Sequence, residues 1–202
     1  MNSEPLMSIW DAYLVTVEAL KVSKRVVAFS NKAEVALNAL DDNESEMLKR
    51  ISFEKHKIGL NLLNRCTVID QVTDLTLKNS SKVIDDLFVL SLWATFERYL
   101  IDFFQTKGKK IREILPSDLA DVYYEHLSKE IEYWKPMEIL DLLKRSLLKG
   151  NEQLIELAKD ILKYRNWVAH GRNPHHLPPM NITPQMAYER LDDVISILRI
   201  NE

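Results

Sequence analysis

The chain has 202 residues, 46% of them apolar, with 4 glycines, 7 prolines and a formal net charge of −3. That is enough for one large helical domain, or a domain with a helical extension, and the acidic balance excludes a general basic coat for nucleic acid while leaving room for a local basic pocket. A single cysteine, Cys66, excludes an internal disulfide and a thiolate metal cluster and reads as a small packed residue.

The first ten residues hold acidic Glu4 and no basic stretch ahead of an apolar run, so no signal peptide is expected. The most apolar segment, 87–104, is interrupted or flanked by Asp85, Asp86, Glu97, Arg98 and Asp102, which argues against a membrane span and for a cytoplasmic protein. Ile9, Tyr13, Thr16, Leu20 and Val27 predict a first helix over 6–29, punctuated by Ser30-Asn31 and followed by a second helical stretch to about 40. After the polar break at 41–45, Met47, Ile51, Ile58, Leu62 and Ile69 predict a third helix. Asn79-Ser80-Ser81 reads as a boundary and cap. The next helix, 82–105, is apolar almost all round, as a central buried helix is, and Gly108 ends it beside a basic turn of Lys107, Lys109, Lys110 and Arg112. Pro116-Ser117-Asp118 opens a helix toward Lys129, and Trp134-Lys135-Pro136 breaks it. A short helix over 137–148 is closed by Gly150, and Asn151 caps a helix to His170. Gly171 is a C-terminal stop, Pro174, Pro178 and Pro179 enforce a loop, and Thr183-Pro184 starts a last helix to about 200. No strand alternation and no fixed-length repeat appears, so the fold expected is all-α: an up-down helical bundle over 79–202 with an N-terminal helical extension over 1–78.

Two charges stand where the helical period asks for apolar residues. The stripe Leu154, Leu157, Ala158, Ile161, Val168 passes through Arg165, and the stripe Val83, Leu87, Leu90, Ala94, Ile101, Phe104 passes through Glu97. Burying an unpaired guanidinium is costly, so Arg165 needs a partner, an anionic ligand or a cleft. Glu97 is the expected partner, either orienting Arg165 for chemistry or forming a plain buried salt bridge; both versions require contact. His170 follows Arg165 by five residues, about 140° round a regular helix, yet it stands at the predicted helix end, where a long arginine arm can reach a common point. Asn166 shares a face with His170. In the loop beyond, Arg172, His175 and His176 are candidates to line an RNA path, or else simply solvated. No Asp, Glu or Cys completes a metal set with His175-His176, so no metal and no cofactor is expected. His56 and His126 sit among polar neighbours and carry no assignment.

The segment Arg165-Asn166-Trp167-Val168-Ala169-His170 resembles the signature of the HEPN superfamily, an Arg and a His separated by four to six residues, with a polar residue often directly after the Arg. Leu92-Trp93-Ala94-Thr95-Phe96-Glu97-Arg98-Tyr99-Leu100 resembles that family's earlier core helix, which often carries an acidic residue near its middle. The resemblance covers about 82–200 and leaves the first 75 residues unexplained. It implies a helical bundle that dimerises so that two Arg/His pairs meet in one cleft, and a metal-independent endoribonuclease in a toxin or antiviral-defence setting, held by an antitoxin or regulatory protein. One His170 would act as base and its mate as acid, Arg165 would hold the phosphate by two parallel hydrogen bonds, and Asn166 would orient His170 or the phosphate. The alternative that the same resemblance implies is a non-catalytic module binding RNA, nucleotide or protein. One toxin subtype of the family has Tyr two residues after the His; Arg172 stands there in this chain, a departure that argues against that subtype.

Overall fold

A computed structural model describes residues 5–39, 50, 53–54, 57–58 and 74–200, with side chains in the first helix described as far as residue 25. Most of the third helix expected around 47–69, together with His56 and Cys66, lies outside the described residues. The fold is all-α, and no strand occurs among the described residues. Among the described residues the helices with defined bounds are α1 (Met7–Ala39), α2 (Asp74–Gly108), the single turn α3 (Ile111–Ile114), α4 (Ser117–Ile131), α5 (Pro136–Arg145), α6 (Glu152–Ala169) and α7 (Pro184–Ile200). No described helix is long and apolar enough to cross a membrane.

The chain divides into two compact units, one of Met1–Tyr13 with Ile84–Glu202 and one of Leu14–Val83. The described part of the second unit consists chiefly of the bulk of α1 and the first turns of α2, with Leu77 buried and Val15, Val22 and Leu75 exposed. Neither expected break interrupts these helices: α1 runs straight through Ser30-Asn31, and α2 runs through Asn79-Ser80-Ser81. Asn and Ser compete for backbone hydrogen bonds and weaken a helix by only some tenths of a kcal/mol each. Without glycine or proline beside them they do not stop one.

The first unit holds the core. It gathers Val89, Leu92, Trp93, Phe96, Leu100 and Phe103 of α2 against Ile139, Leu140 and Leu143 of α5, Ile155, Ala158, Ile161 and Leu162 of α6, and Ala187, Leu191, Val194, Ile195 and Leu198 of α7. Ion pairs from Lys159 to Asp141 at 2.7 Å and from Lys144 to Glu156 at 2.7 Å tie α5 to α6. Thr183 caps α7, its hydroxyl oxygen accepting the Met186 amide at 3.2 Å, with Pro184 at the first helical position as the sequence indicated. The phase of α2 differs from the expected stripe. Val83 and Leu87 are exposed, as is Ala94, because a helix apolar on nearly every side gives periodicity nothing to lock onto.

The start of α1 belongs to this unit. Leu6 is buried, Trp10 stacks on Tyr188 with ring centroids 4.8 Å apart, and Tyr13 meets Phe88 edge-on at 5.1 Å. The Tyr13 hydroxyl donates to Asp85 Oδ1 at 3.0 Å. Burial, and then the Asp85 carboxylate, push the Tyr13 phenol up to about 12. A phenol whose folded pKa exceeds the unfolded value near 10 stabilises the fold fully below pH 10 and loses that contribution as pH climbs through 12. Denaturant melts across pH 9–12 are therefore expected to show an alkaline loss of stability that is shallower in Tyr13→Phe; identical pH slopes for the two proteins would refute the linkage.

Candidate functional site

The candidate motif occupies the last turn and a half of α6. The buried face of that helix is Ile155, Ala158, Ile161, Leu162 and Tyr164. Arg165, Asn166 and Val168 therefore fall on its half-buried flank, and His170, the residue that caps the helix, is exposed. Arg165 donates from Nη1 to Asn166 Oδ1 at 3.0 Å and forms no ion pair with a carboxylate among the described residues. The Asn166 carbonyl accepts the His170 amide at 2.9 Å, so one asparagine holds the arginine by its side chain and the histidine by its backbone. The imidazole of His170 meets no hydrogen-bond partner among the described residues. Five residues of helix set the two Cα positions about 7.5 Å apart along the axis, within the reach of an arginine arm.

The expected Glu97–Arg165 pair is not formed. Glu97 accepts the buried indole N–H of Trp93 at 2.8 Å, four residues back on its own helix. The physical reason lies in the phase of α2: Trp93 and Phe96 take the core positions, Glu97 falls beside them, and it satisfies a donor that burial would otherwise strand.

The end of α6 is closed by a left-handed turn. The Arg172 amide donates to the Trp167 carbonyl at 2.8 Å and the Gly171 amide to the Val168 carbonyl at 3.1 Å, the paired bonds of a Schellman ending. Gly171 has φ 81 and Arg172 has φ 58, the latter a conformation that L residues other than Asn or Asp seldom adopt. The Trp167 indole donates to the Asn173 carbonyl at 3.0 Å, and Asn173 Oδ1 accepts the His175 amide at 2.9 Å, which fixes the start of the loop. A Cβ at Gly171 would touch nothing within 4 Å. Gly171→Ala is therefore expected to cost about 1 kcal/mol, all of it backbone. Urea melts should show a lowered midpoint at unchanged slope, and an unchanged midpoint would mean that the turn relaxes freely.

Arg172, a candidate for an RNA path, turns inward instead. Its Nη2 pairs with Asp86 Oδ2, and the Tyr164 hydroxyl donates to Asp86 Oδ1 at 2.5 Å. Asp86 is 3% exposed and is the one polar or charged residue in the described interior. Burial first, and then the neighbouring Asp85 carboxylate, push the Tyr164 phenol above its ordinary value, which keeps it a donor. His175 and His176 remain exposed in the loop. In the sequence Asp86 stands out only as one of the charges flanking the apolar segment 87–104, and that signal says nothing of its two partners.

Elsewhere, Arg112 of the basic turn pairs with Asp121 at 2.9 Å and lies 4.4 Å from the Tyr124 ring, which accounts for its position without a ligand. Two surface grooves of about 260 and 380 Å³ run along α2 and share Tyr99 and Asp102; neither is lined by the motif. No family model, curated protein or solved structure matches this chain at a significant level.

Proposed function

We propose that this chain is a metal-independent endoribonuclease of the HEPN type, acting as a cytoplasmic homodimer in a toxin or antiviral-defence setting. The observation that carries the reading is the pairing, on one fixed helix end, of an exposed imidazole with a guanidinium that no described carboxylate neutralises. In RNA the 2′-OH attacks the adjacent phosphorus, the bond to the 5′-oxygen of the next nucleotide breaks, and the products are a 2′,3′-cyclic phosphate and a 5′-OH. One imidazole takes the 2′ proton and a second, supplied by the other copy, protonates the leaving oxygen. Arg165 holds the non-bridging oxygens and stabilises the charge that builds on them. Asn166 keeps that guanidinium oriented before substrate arrives.

The test is incubation of the full chain with fluorophore-labelled single-stranded RNA of mixed sequence in EDTA, with analysis of product ends and of mass in solution. Cyclic-phosphate and 5′-OH ends from a dimer are expected. Retention of the RNA without cleavage would replace this reading with the non-catalytic binding module. A protein that stays monomeric at micromolar concentration would remove the shared site.

A further inference from the structure

Asp86 lies far from the motif in sequence but holds it on both sides. Its Oδ1 accepts Tyr164, the residue directly before Arg165, and its Oδ2 accepts Arg172, the second residue after His170. Arg172 has φ 58, a backbone conformation that its own preferences oppose. The interior carboxylate supplies the opposing pull. Released from it, the backbone at 172 relaxes toward negative φ; because the Asn173 carbonyl is tied to the Trp167 indole, that rotation is taken up in the turn that the Arg172 and Gly171 amides close on the Trp167 and Val168 carbonyls. His170 stands inside that turn.

We infer that Asp86 is a positioning residue for His170: by clamping Tyr164 and Arg172 on either side of the motif, it fixes the helix end that carries the imidazole. The inference rests on reading His170 as the proton-transfer group. A carboxylate that only supported the core would act regardless of the backbone at 172. The clamp acts through that backbone, and glycine adopts positive φ unaided.

Asp86→Asn in the full-length protein removes the ion pair while keeping an acceptor for Tyr164. It is expected to lower kcat on the labelled RNA by about tenfold or more with KM little changed, because a small misplacement of a reacting group is costly. It should also shift and broaden the His170 ring signals in NMR spectra. Adding Arg172→Gly to Asp86→Asn restores the turn without the clamp, and should return both kcat and the ring signals close to wild type. A double variant as impaired as the single one overturns the inference, as does an Asp86→Asn protein with unchanged kcat and ring signals. If the wild-type protein cleaves no RNA, the nuclease reading alone fails, and the ring signals with their rescue still decide the role of Asp86. In the wild-type protein, the Arg172 amide should exchange as slowly as the amides in the body of α6; a freely exchanging amide there overturns the clamp without any variant.

Discussion

His170→Ala is expected to reduce metal-free RNA cleavage by roughly 1,000-fold or more, since each general acid or base contributes about 10²–10⁴ and a symmetric dimer loses both at once. Arg165→Ala should cost about 10²–10³, the usual effect of removing a donor aimed at developing charge. Arg165→Lys should recover little, because an ammonium cannot make the two parallel bonds of a guanidinium. His170 is exposed at the helix end, so its truncation should leave stability within about 0.5 kcal/mol, and folding measured by circular dichroism should be intact. That separation matters, since a loss of activity without a loss of fold is what assigns chemistry to the side chain. Residual cleavage near the wild-type rate in either alanine variant would remove Arg165 and His170 from the mechanism.

The second large effect concerns stability. Arg172→Met keeps the aliphatic stem and deletes the charge, leaving the Asp86 carboxylate in the interior with only the Tyr164 hydroxyl. Breaking a buried pair from one side costs about 3–5 kcal/mol, and the lower end applies because the Arg172 side chain is 34% exposed and its Asp86 partner only 4%. For a chain of this size, roughly 3 kcal/mol lowers Tm by about 6–12 °C. Asp86→Asn should cost less, about 1–2 kcal/mol, since a partly exposed arginine can turn to water while a buried carboxylate cannot. Thermal and urea melts of the two variants give the order directly. Arg172→Met as stable as wild type would show that the pair contributes nothing, and a reversed order would show that Asp86 is better solvated than its burial implies.

What the sequence disclosed depended on how local the signal was. The helical class, the stop at Gly171, the start at Thr183-Pro184 and the opening at Pro116-Ser117 all rest on backbone chemistry within a few residues, and each is found in place. The Arg165–His170 segment was equally legible, because a charge on an apolar stripe next to a glycine stop is a local anomaly. Rotational phase was not legible. On α2 the apolar residues cover nearly the whole circumference, and only packing against α5, α6 and α7 selects Leu92, Trp93 and Phe96 over Leu87 and Ala94. The Glu97–Arg165 pairing depended on that phase and did not survive it. Asp86 and Arg172 are separated by 86 positions and meet only in three dimensions, so neither residue alone announced the other.

The seating of Leu6, Trp10 and Tyr13 on the bundle bears on how the protein can be shortened for study. A fragment beginning at residue 79, the boundary that composition invites, would discard a wholly enclosed leucine. It would also bare the indole-facing side of Tyr188 and leave Asp85 without its phenol. Catalytic or binding work on such a fragment would report on a damaged particle, whereas a design that rejoins the opening thirteen residues to the segment from Ile84 onward would keep every aromatic contact described at that corner.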